Sequence, residues 1–268
     1  MKPSTTVLRY LIIACTASAL GACGGDNDAG ELLGITKPAV RFVNAVPTTS
    51  LDIYRNGKRF AFTQQDYPAV SKLGSFSAGV STFSARGSNH PEQGDIGVAG
   101  SINGDRGHRY LLSAFPSARS TTSGSDSIDL RIVDDPHDYK APLAPTLRIL
   151  NAAANTQAVD VYVTRPQEQL SAPTVTSLAY QATWPASGVN SFKLPATGYR
   201  IRVSATGDPG NILFDSQTIN AHRNADLIAV LLPARIAAGP ISRGDLKMLV
   251  DDANSNDATR EIIDHSAK

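Results

Sequence analysis

Two stretches of this chain repeat each other in order, and that repetition limits the fold more than any other feature. Val40-Arg41-Phe42-Val43-Asn44-Ala45 matches Leu147-Arg148-Ile149-Leu150-Asn151-Ala152 at an offset of 107 residues. Leu51-Asp52-Ile53-Tyr54 matches Val159-Asp160-Val161-Tyr162 at 108. Phe115-Pro116 matches Leu232-Pro233, and Val133-Asp134-Asp135 matches Val250-Asp251-Asp252, both at 117. An offset that grows along the chain is what loop insertions between matching strands produce. A period of about 110 residues far exceeds the ~20–50 of solenoid repeats and fits tandem globular domains. Pro142 and Pro145 punctuate the junction.

The local pattern predicts strands. Leu51-Asp52-Ile53-Tyr54 alternates with period two, so Leu51 and Ile53 share one face and Asp52 and Tyr54 the other. Asn56-Gly57 follows as a two-residue hairpin turn, with Phe60 and Phe62 on the return strand. In Tyr199-Arg200-Ile201-Arg202-Val203 the apolar positions face in and both arginines are expected to face water. Leu227 to Leu232 is a continuous apolar run suited to a central strand. No segment sustains a 3.6-residue period. The expected fold is all-β, with two tandem Ig-like β-sandwiches at residues 39–140 and 141–250 and a polar C-terminal tail at 251–268.

The N-terminus reads as an export address. Lys2 and Arg9 precede an apolar run from Tyr10 to Leu20, which is shorter than the ~20 residues a membrane-spanning helix needs. Residues 1–22 are expected to be a helical, cleaved signal peptide. Leu20-Gly21-Ala22-Cys23 resembles the lipobox of bacterial lipoproteins, in which the Cys thiol takes a diacylglyceryl group. That resemblance implies lipidation at Cys23 and a membrane partner through the lipid, with several acyl chains for stable anchoring. Cys15 leaves with the signal, so the mature chain holds a single Cys and forms no internal disulfide. Gly24 follows Cys23, and the absence of Asp there implies sorting to the outer membrane. Residues 23–38, rich in Gly, Asp and Asn, read as a flexible tether.

Composition and motifs bear on chemistry. A formal net charge of +1 gives no electrostatic case for nucleic-acid binding. The chain has no Gly-x-Ser-x-Gly elbow, His-Glu-x-x-His pair or phosphate-binding Gly-rich loop. Its five His are scattered, and no cofactor is implied. The weak metal candidates are Asp134, Asp135, Asp251 and Asp252, because hard cations such as Ca²⁺ want several oxygens. Asp- and Asn-rich turns at strand ends are the plainer reading of those runs. Asp52 and Asp160, beside Tyr54 and Tyr162, could form a ligand-facing polar row. The favoured reading is structural: a hydrogen bond that fixes register, with Asn44 or Asn151 as partner. Trp184 is either a stacking platform for a sugar ring or, as favoured, a half-buried core residue.

The pattern hydrophobic-Arg-hydrophobic-hydrophobic-Asn-Ala, followed by hydrophobic-Asp-hydrophobic-Tyr, is similar to the bacterial domain-of-unknown-function 4397 family. Val40 to Ala45 with Leu51 to Tyr54 carry it once, and Leu147 to Ala152 with Val159 to Tyr162 carry it again. The resemblance implies an exported, sandwich-like protein with no catalytic residues to transfer. The resulting expectation is a non-enzymatic, lipid-anchored envelope module that binds or supports an envelope protein or a glycan. The alternative is an envelope-enzyme accessory or carbohydrate-binding module. Any ligand is expected on the loops, at Gly87–Gly107, Thr164–Pro173 and Ser204–Asn220, or at the domain junction. The loop at Thr164–Pro173 is expected to contribute little to stability.

Overall fold

The computed structural model describes residues 36–117, 127–137, 144–154, 156–195, 197–235 and 242–265. The expected signal segment, Cys23 and most of the tether lie outside the described residues. Within them the chain is all-β, with one short 3-10 turn at Pro91–Gln93. No helix among the described residues is long and apolar enough to cross a membrane.

The first half holds β1 (Ala39–Asn44), β2 (Leu51–Arg55), β3 (Lys58–Arg59), β4 (Ala69–Val70), β5 (Gly74–Ser75) and β6 (Gly79–Ser81). It continues with β7 (Phe83–Gly87), β8 (Gly97–Val98), β9 (Ile102–Gly104), β10 (Arg109–Pro116) and β11 (Ile128–Asp135). One sheet runs β11-β10-β1-β4, with β5 also on β1, and a second runs β3-β2-β7-β8. Strands β1 and β10 are parallel, with Val40 opposite Tyr110. The facing sides of the two sheets bury Val40, Phe42, Leu112 and Leu130 against Leu51, Ile53, Phe83 and Ala85. Asn56 and Gly57 take φ of 50° and 74°, the left-handed pair that a tight hairpin turn requires. Phe60 and Phe62 both turn their rings into this core, edge to face at 5.2 Å.

The second half repeats the scheme with β12 (Thr146–Asn151), β13 (Val159–Thr164), β14 (Val175–Leu178), β15 (Thr183–Trp184) and β16 (Phe192–Lys193). Then follow β17 (Gly198–Ala205), β18 (Asp208–Asn220), β19 (Asp226–Pro233), β20 (Leu246–Asp252) and β21 (Arg260–Ile263). Its sheets run β15-β12-β19-β20-β21, with β16 on β12, and β14-β13-β17-β18. Again the first strand lies parallel to a late one, with Leu147 opposite Leu227. Leu147, Ile149, Ala229 and Met248 pack on Val161, Tyr199, Ile201 and Phe214.

Four sequence expectations change here. Residues 251–268 are not only a tail, because β21 extends the sheet edge through pairs such as Met248 with Ile262. Ser204–Asn220 is not a loop but a β17–β18 hairpin whose second strand is 13 residues long. Arg202 does not face water: it is buried, and its guanidinium donates to Thr164 Oγ1 and the Glu168 carbonyl, each at 2.8 Å. The loop at Thr164–Pro173 therefore folds over the outer face of its sheet. Finally, the ladders place Asp134 opposite Tyr110 and Asp252 opposite Leu227. The equivalent of Asp134 is thus Asp252, one residue beyond the match read from identical letters.

A third apolar cluster joins the sandwiches. Val43, Leu111 and Phe115, on the outer side of the first β1–β10 sheet, pack with Leu150, Ile228, Val230 and Leu232 from the second half. Period-two alternation explains this: β1 and β12 are buried on both faces, one toward their own sandwich and one toward the other.

Candidate functional site

The repeated polar residues are consumed by the fold. Asn44 donates to the Thr49 and Gln65 carbonyls, both at 2.8 Å, and accepts the Val46 N–H. Asn151 donates to the Leu178 carbonyl and accepts the Ala153 N–H. Each is an Asx turn at a strand end whose amide also holds the segment beside β2 or β13, at Gln65 and Leu178. Neither is the partner of the repeated Asp, which corrects the expected pairing. Asp52 is 0% exposed and accepts from the Gln64 N–H, Ser88 Oγ and the Arg59 guanidinium. Asp160, 4% exposed, accepts the Ser177 and Gly207 N–H groups, each at 2.8 Å.

The two donors Gln64 and Ser177 share a conformation. Their φ angles are 49° and 51°, in the left-handed region that side chains disfavour. Each buried carboxylate therefore pins a disfavoured residue in the segment beside its strand: Gln64, just before the Leu51–Gln65 bridge, and Ser177, at the register shift inside β14. Burial pushes the Asp52 carboxyl up, but the Gln64 amide, Ser88 and Arg59 together hold it below its ordinary value. Tyr54 is covered by the Arg86 guanidinium, 4.0 Å from the ring centroid. Tyr162 is buried.

The acidic runs lie at the junction of the sandwiches, and their oxygens meet side-chain nitrogens and a hydroxyl of this chain. Asp134 receives His108 Nδ1 at 2.8 Å, and Asp252 meets His222 Nε2 at 2.7 Å. The scattered His thus serve equivalent carboxylates in the two halves. Asp135 accepts from Ser191 Oγ at 2.6 Å and lies 3.3 Å from Arg148. Asp251 meets Lys72 at 3.0 Å and Arg41 at 3.9 Å. Among the described residues no group of three or more His, Cys, Asp or Glu is arranged to hold a metal. Trp184 is half-buried, tilted against Phe192 at 4.9 Å and packed on the second core.

Residues that sequence reasoning passed over complete the junction. Asp226 bonds Arg109, and Arg41 donates to its carbonyl at 3.2 Å. Burial raises the Asp226 carboxyl, yet Arg109, Arg41 and His137 outweigh it and bring the pKa down to about 2. Burial and then Arg109 push His137 below its ordinary value as well. Arg41, Arg109, Arg148, Asp135, Asp226 and Ser191 line a cavity of about 30 Å³. That is room for about two waters, not for an organic ligand. What this arrangement does chemically is neutralise charge and satisfy hydrogen bonds across the contact. Arg41 and Arg148 were visible in the sequence as the one charge inside each repeated apolar strand.

No curated protein matches the chain. Among solved structures, a family 41 carbohydrate-binding module from streptococcal virulence factors, described for α-glucan recognition, aligns at 10% identity. The alignment covers 77% of this chain and 97% of that chain at a TM-score of 0.24, too weak a likeness to transfer fold or ligand. The family model described as domain of unknown function DUF4397 matches residues 38–162. That match takes in the first sandwich and continues through β12 into β13, from the first repeated motif to the end of the second at Tyr162.

Proposed function

We propose that this chain is a lipid-anchored protein of the bacterial envelope, built from two copies of one sandwich domain and acting as a non-enzymatic binding or structural module. The observation that carries this reading is the intersheet cluster around Val43, Phe115, Leu150 and Leu232, which makes the two sandwiches one body. A body of this kind, held on a Gly-rich tether behind Cys23, suits presentation of a surface at a distance from a membrane. The anchor reading rests on Leu20 to Cys23. The junction cavity is water-sized, so the surface offered to a partner is on the short strands of the first half, where Val80 on β6 and Val98 on β8 are 72% and 59% exposed; β8 and β9 lie in the Gly87–Gly107 stretch expected as a loop.

Cell fractionation of the Cys23→Ala variant tests the anchor. The variant should leave the membrane fraction or remain unprocessed. Full maturation with unchanged membrane association would refute the lipoprotein reading.

A further inference from the structure

The contact between the sandwiches uses the same positions on both sides. The parallel ladders set the equivalences: Val43 with Leu150, Leu111 with Ile228, and Phe115 with Leu232. All six lie in the intersheet cluster. Tyr67 and Tyr180, packed against it, are equivalent too, each three residues before the partner of Val43 or Leu150. The loops reciprocate. Lys72, between β4 and β5, reaches Asp251 on β20. Ser187 and Gly188, between β15 and β16, bond the Asp134 backbone on β11 at 3.0 and 2.9 Å. A patch that meets its own equivalent is an isologous contact, the geometry of two-fold dimers.

At the centre of such a contact a residue faces its own counterpart. Arg109 and Asp226 are counterparts: they stand opposite Ala39 and Thr146, the matching starts of the two parallel ladders. They also bond each other, with side chains only 10% and 9% exposed. If like halves of two chains met through this face, the same place would hold two buried arginines or two buried aspartates. Like charges without water are strongly unfavourable there. We propose that the Arg109–Asp226 pair is the specificity element of this face: it selects the opposite sandwich of the chain as partner and rejects the like sandwich of a second copy.

The test uses the full chain with a protease recognition sequence inserted between Lys140 and Ala141. After cleavage, the halves are sized in mild detergent by chromatography with light scattering. Wild-type halves should stay together as a 1:1 complex. Asp226→Arg should release them as separate halves, and the exchanged double variant Arg109→Asp/Asp226→Arg should restore the complex. Circular dichroism of the uncleaved chains follows folding. If the single variant fails to fold, the double variant decides: recovery of fold and complex supports the proposal. Dissociation of wild-type halves would overturn it. So would an intact 1:1 complex in Asp226→Arg, or a double variant that neither folds nor pairs.

Discussion

Replacing Asp160 with Ala removes the acceptor of two backbone N–H groups, from Ser177 and Gly207, each bonded at 2.8 Å. A hydrogen bond to a charged group contributes about 1.5–3 kcal/mol. Ser177 and Gly207 are themselves exposed, so water takes up part of the lost bonding and the lower end applies. Ser177 also loses the bond that holds its left-handed φ of 51°. The expected loss is about 2–3 kcal/mol, a fall in Tm of roughly 4–10 °C for a body of this size. Asp160→Asn keeps one acceptor oxygen and should lose about half as much. Asp52→Ala should cost more, because Asp52 holds three partners rather than two. Arg59→Ala should cost the least of the four, because its side chain is 54% exposed and water screens the pair. Thermal melts of the four variants by circular dichroism check this ranking. Asp→Ala variants that melt like the wild type would refute the structural role, and loss of a ligand with unchanged melting would make the carboxylates a site.

The remaining predictions concern the junction, the second core and the loop over it. Asp226 has its pKa depressed to about 2 in the folded chain, against about 3.9 when unfolded. Its contribution, on the order of 2–3 kcal/mol, is therefore present above pH ~4 and lost as pH falls toward ~2, and Asp226→Asn should flatten that part of the pH–stability curve. Tyr199 carries a buried hydroxyl with no hydrogen-bond partner among the described residues, and burial pushes its pKa well above the ordinary phenol value. Tyr199→Phe should leave Tm unchanged or raise it by a few degrees, about 0–1 kcal/mol. Deleting residues 166–171 should lower stability by about 1–3 kcal/mol, measured by urea unfolding, because Arg202 loses its bond to the Glu168 carbonyl while staying buried. An unchanged urea midpoint would restore the view of that loop as energetically idle.

The strands were legible because period two is local: Leu51 with Ile53, and Tyr199 with Val203, need only their neighbours to declare an inner face. Outer faces were not legible in the same way. Arg202 looks solvent-facing until a loop some 34 residues earlier folds across it. The junction was half legible. Arg41 and Arg148 each interrupt an apolar strand, and a repeated charge in such a place asks for a partner. For Arg41 that partner lies 185 residues away, a separation no local pattern spans.

The error in matching Val133 with Val250 makes the same point about parity. The letters Val-Asp-Asp agree at an offset of 117, but the ladders pair Leu112 with Ile132 and Ala229 with Val250. Ile132 and Val250 both face their own sandwich cores, whereas Val133 faces the junction. A shift of one residue moves a side chain to the opposite face of a sheet. Identity of residues is thus weaker evidence of equivalence in strands than identity of face. Arg109 and Asp226 show the converse, since they share a position, a face and a contact while carrying opposite charges. A comparison of letters scores them as a mismatch, yet opposite charge is what lets two equivalent positions meet in a buried contact.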